Sequence, residues 1–91
     1  MQGVRVDATV VRMDTPQTVA RAIGLAMADA LKERSITTQA AAEASGIPRT
    51  TLIRRLTGTS PLYVDELAAL CDLLGVSMAD FVGSVTAAVA S

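Results

Sequence analysis

Between residues 37 and 58 the chain leaves room for two helices of about two turns each and for nothing longer. Thr37 or Thr38 is a capping residue, Gln39 to Ala44 follow without a breaker, and Ser45-Gly46 ends the run. Gly just past the last periodic residue is a common left-handed stop. Pro48 stands where the first turn of a new helix accepts proline, the helix runs on from Arg49 to Thr57, and Gly58 closes it. Two short helices joined by so short a turn cross steeply, which predicts a helix-turn-helix over 37–57. Ala42 supplies the small residue such a crossing needs, and Ile47 and Leu52 plug the second helix into a core.

The flanks read as further helices. Asp14-Thr15-Pro16 is a helix start, and Val19, Ile23, Ala26/Met27 and Ala30/Leu31 recur at helical spacing, predicting a helix over about 16–34. Val64, Leu67, Leu70/Cys71 and Leu74 mark another, stopped by Gly75. Ser77 opens a last one: Ser77 and Asp80 have capping-box spacing, and Val76 and Phe81 have staple spacing. Residues 3–13 instead alternate Val4, Val6, Ala8 and Val10 with Arg5, Asp7 and Thr9, a strand period. A lone strand must pair, with another segment or another copy, or stay flexible. With 16 alanines and two aromatics in 91 residues, the composition favours small, closely packed helices. The expectation is one all-α domain, a compact bundle of about five helices over 15–91, with 1–14 as an N-terminal arm.

There is no His and one Cys. That excludes zinc-finger sites, a disulfide within the chain and every His-based catalytic arrangement. No Gly-rich phosphate loop or nucleophile–base pair is visible, so neither an enzyme nor a cofactor is expected. No apolar run spans a bilayer and residues 1–7 do not read as a secretory signal, which predicts a cytoplasmic protein. Cys71 sits on the stripe of Leu67 and Leu74 and reads as a buried structural thiol.

The net charge is −1, but it is unevenly distributed. Residues 1–33 balance to zero. Residues 34–58 carry Arg34, Arg49, Arg54 and Arg55 against Glu43 alone, a net +3. Residues 59–91 carry Asp65, Glu66, Asp72 and Asp80 with no base, a net −4. A local basic face governs polyanion binding, whatever the total. With Leu52 inward, the second short helix presents Pro48, Arg49, Thr50, Ile53, Arg54 and Thr57, a face without acid. Arg reads guanine in the major groove, Thr bonds a phosphate or base edge, and Ile touches a thymine methyl. The acidic last third keeps DNA to one side by repulsion. A plain helical corner with a solvated face is the rival reading.

Residues 36–58, ITTQAAAEASGIPRTTLIRRLTG, together with 64–81, VDELAALCDLLGVSMADF, resemble the Cro/C1-type, lambda-repressor-like helix-turn-helix family, also called the Xre family. The likeness covers residues 17–82, and the phrasing of 60–67 is similar to versions from actinobacteria and their phages. The resemblance implies that the helix from Pro48 to Thr57 enters the major groove. It implies base-reading places for Arg49, Thr50, Ile53 and Arg54, and backbone places for Thr38, Gln39, Pro48 and Thr57. Thr38 stands where many members have Gln. Arg55 stands where many have an apolar core residue, so Leu56 is expected to take over that packing and leave Arg55 free for a phosphate. The function expected is a sequence-specific transcriptional regulator, a phage-type repressor or Cro-like protein that occludes its operator. Family members usually dimerise on two half-sites, and residues 3–13 or 82–91 are the surplus available for that contact. No small-molecule ligand is expected. The alternative is an antitoxin-like interaction module whose N-terminal arm grips a partner protein.

Overall fold

A computed structural model of the chain describes residues 16–90. Five helices follow in order: α1 (Pro16–Glu33), α2 (Thr38–Ser45), α3 (Arg49–Leu56), α4 (Val64–Leu74) and α5 (Met78–Ala90). The expected strand over 3–13 lies outside the described residues. Among those described, the fold is all-α, as the periodicity predicts.

Helices α1 to α4 bury most of the stripe their sequence spacing defines; the exception is Val64, expected on the α4 stripe, which stands at the first position of α4 and is 71% exposed. Met27 and Leu31 of α1, Ala41 and Ala42 of α2, Leu52 and Leu56 of α3, and Leu67, Leu70, Cys71 and Leu74 of α4 meet in one core with Ile47. α1 crosses α3, α4 and α5, and α2 lies against α3 and α4. Val76 and Phe81 flank the start of α5 and both pack on this core. Burial pushes the Cys71 thiol pKa up, as expected of a structural cysteine.

Helix ends explain the placement of the two short helices. Thr37, not Thr38, caps α2: its backbone is extended and its Oγ1 accepts from the Ala40 N–H at 3.1 Å. Gly46 ends α2 at φ 78°, and its N–H donates to the Ala42 carbonyl at 2.9 Å. Ser45 stiffens the turn, its Oγ donating to the Ala41 carbonyl (2.7 Å) and accepting from the Ile47 N–H (3.3 Å). Pro48 is the residue before α3 and not its first helical residue; its carbonyl accepts from the Leu52 N–H at 2.8 Å. A proline there fixes φ and costs no ladder bond.

Two packing details hold the bundle close. A Cβ on Gly24 would collide with the backbone carbonyl of Arg55, so α1 meets α3 through a bare glycine. Arg34, just past α1, donates from Nη1 to the Leu74 carbonyl at 2.6 Å. That bond satisfies an orphan carbonyl at the end of α4 with a cation that suits the negative end of its dipole.

Candidate nucleic-acid interface

The rotation of α3 follows from two leucines. Leu52 is fully buried and Leu56 nearly so, and a helix that buries two residues four apart turns the opposite face to solvent. Arg49, Thr50, Ile53, Arg54 and Thr57 are all exposed, as is Pro48. Ile53 is 37% exposed, which puts one apolar side chain on this face. No acidic residue lies in the first turn of α3.

α2 contributes the neighbouring wall. Gln39, Glu43, Pro48 and Arg49 line an open groove of about 400 Å³ at the junction of α2 and α3, floored by Ala42, Gly46 and Ile47. Gln39 lies in the first turn of α2 and donates from Nε2 to Glu43 Oε2 at 3.4 Å. Glu43 therefore belongs to the same surface as Arg49, although α3 itself presents no acid. Its i,i+4 relation to Gln39 is the sequence signal for that placement. Thr38 is half-buried beside Gln39.

The expectation of a free Arg55 needs correction. Its guanidinium donates from Nε to Glu66 Oε1 (2.9 Å), from Nη2 to Glu66 Oε2 (3.3 Å) and from Nη1 to Ser60 Oγ (2.7 Å). The Tyr63 ring lies against it, 4.7 Å from centroid to guanidinium carbon. The two charged side chains are only 11% and 15% exposed. The hydrogen bond from Arg55 holds the Glu66 carboxyl below its ordinary range, against the opposing effect of burial. Glu66 Oε1 also accepts from the Tyr63 N–H at 3.0 Å, capping α4. Arg55 is thus a brace between the end of α3 and the start of α4. Leu56 does take the core position, but the guanidinium turns to a fold partner instead of solvent.

Thr57 also spends part of its capacity inside the fold. Its Oγ1 donates to the Ile53 carbonyl at 2.9 Å and lies 3.0 Å from Thr59 Oγ1. A hydroxyl that back-bonds to its own helix has no proton left for an outside acceptor until it rotates. Of the four arginines in residues 34–58, Arg34 and Arg55 are engaged by the fold, while Arg49 and Arg54 are exposed.

A residue outside the helix-turn-helix also reaches this region. Arg21 of α1 is exposed, and its stem crosses Gly58, just beyond α3. The sequence signal for it is a cation in the first half of α1, off the apolar stripe.

Comparison with known proteins gives the family and a similar solved fold. The family model for the Cro/C1-type HTH DNA-binding domain matches residues 28–86. The crystal structure of the clp gene regulator ClgR from Corynebacterium glutamicum superposes with a TM-score of 0.72 at 26% identity, covering 79% of this chain and 77% of that one. A comparison with curated proteins gave no match.

Proposed function

The chain belongs to the Cro/C1-type HTH DNA-binding domain family, and from that premise we propose that it is a sequence-specific transcription regulator that reads duplex DNA with α3. The observation that carries the reading is the exposed Arg49, Thr50, Ile53 and Arg54 surface beside the buried Leu52 and Leu56. Arg49 and Arg54 have the donors to read guanine bidentately, Thr50 bonds a base edge or phosphate, and Ile53 meets a thymine methyl. Gln39 and Thr38 at the start of α2, with Pro48, sit where the backbone passes, and Thr57 follows after rotation of its hydroxyl. Binding acts by occlusion, as in a phage-type repressor or Cro-like protein, without an enzymatic step and inside the cytoplasm.

Eight residues of recognition helix cover few base pairs, so the proposal includes a homodimer on two half-sites about one helical turn apart. The surface that supports it is the α1–α5 groove, where Leu25 is 42% exposed in a mostly apolar lining that Asp29 and Ser84 interrupt.

The experiment is selection of randomised duplexes by the purified protein, with affinity for the enriched pool followed against salt. A single enriched motif bound less tightly as salt rises supports the reading, and a palindromic motif supports the dimer. An unenriched pool with no salt-sensitive binding overturns it and transfers the weight to an interaction module.

A further inference from the structure

We infer that Arg21 is an additional DNA-backbone contact, seating a phosphodiester group in the hollow between α1 and the loop that follows α3. This rests on the DNA-binding reading and adds a contact that lies outside the helix-turn-helix.

The hollow is about 290 Å³ and is lined by Ala20, Arg21, Gly58, Thr59, Ser60 and Pro61. One cation and two hydroxyls face it, and none of the lining residues is acidic. The stem of Arg21 lies across Gly58 so closely that a Cβ there would stand 2.7 Å from Arg21 Cγ and 3.2 Å from Nε. A side chain at 58 would push this stem aside, and the φ of 79° there calls for glycine independently. No hydrogen bond or ion pair engages that guanidinium among the described residues. It contrasts with Arg34 and Arg55, both held by fold partners.

The loop's own donors narrow the chemistry. The N–H groups of Gly58, Thr59 and Ser60 all donate to the carbonyls of Arg55 or Arg54, so an anion must be held by side chains. Ser60 Oγ accepts from Arg55 Nη1, which leaves its own proton to be given outward. The Thr59 proton goes to Thr57 Oγ1, whose own proton is on the Ile53 carbonyl, so the donors to an anion are the Arg21 guanidinium and the Ser60 hydroxyl, a pair that suits the oxygens of a phosphate. The position is also continuous with the reading face, because the Thr59 hydroxyl touches that of Thr57 on the exposed side of α3. A duplex lying along α3 brings its next backbone phosphates over this edge.

The test uses the full chain and the duplex enriched by selection, with binding read well below the melting temperature of each variant. Arg21→Gln keeps much of the stem and removes the charge; Arg21→Lys restores the charge. The expected result is a slope of log affinity against log salt that is shallower by about 0.9 for Arg21→Gln. The ranking of base substitutions stays unchanged, and Arg21→Lys recovers the slope. A neutral methylphosphonate moved through the flank weakens the wild type at one phosphate and leaves Arg21→Gln indifferent there. Equal slopes for wild type and Arg21→Gln overturn the inference and leave the DNA-binding reading standing. An altered base ranking makes Arg21 a base reader and overturns it too. A wild type with no salt-dependent duplex binding removes the DNA-binding reading and this contact with it.

Discussion

Arg54 and Arg55 are adjacent and alike in charge, yet one turns to solvent and the other is bonded to Glu66 and Ser60 and lies against Tyr63. Substitutions should separate the two kinds of arginine. Arg49→Ala, on the exposed face with Arg54, is expected to cost about 1–3 kcal/mol of binding and relax the preference at one base position, measured by titrating a panel of operator variants. Glu66→Gln acts on stability instead, because a charge-assisted hydrogen bond contributes about 1.5–3 kcal/mol. The Glu66 carboxyl titrates below its ordinary range in the fold, so its contribution is whole above about pH 4.3. It fades as pH falls through the lowered value. Melting curves should show a gap between wild type and Glu66→Gln at neutral pH that narrows in acid. The exposed face is legible in the sequence because Leu52 and Leu56 determine the rotation of α3. The fate of Arg55 is not, because its partners lie five to eleven residues away in a loop and in the next helix, and no periodicity reports that.

The helices themselves are legible to within about a residue, since caps and breakers are local. The terminus of α1 is the least marked of them. No glycine stands there, and Ser35 takes the left-handed position at φ 58° while the Ile36 N–H donates to the Leu31 carbonyl at 2.9 Å. A side chain in that region costs roughly 1 kcal/mol. Ser35→Gly is accordingly expected to raise stability by about that amount in chemical denaturation, and an unchanged midpoint would deny the strain. Leu52→Ala tests α3 from its buried side. With Leu52 fully enclosed, the loss should be about 2–5 kcal/mol, and a calorimetric melt showing none would mean α3 is held by something other than this core. The sequence leaves open whether Thr37 or Thr38 caps α2, because both have the hydroxyl and only backbone direction distinguishes them.

At the scale of the molecule, the surfaces divide by chemistry: α3 carries the exposed Arg49 and Arg54, and α1 with α5 carries a groove floored by small apolar residues. Sedimentation at micromolar concentration should find a dimer for the wild type and a monomer for Leu25→Asp, and a monomer in both cases would remove the α1–α5 contact from the proposal. The amphipathic stripes announce where each helix hides its apolar side, but not how near two backbones come, since proximity is a property of pairs. Gly24 makes the difference concrete. Its missing side chain is replaced by the carbonyl of Arg55, so every other residue fails there for the same reason, regardless of polarity, size or charge. Gly83, with open space around it in α5, imposes no such veto. In a lineage drifting under selection for function, position 24 would be a fixed letter and position 83 a free one, although both are glycines within helices.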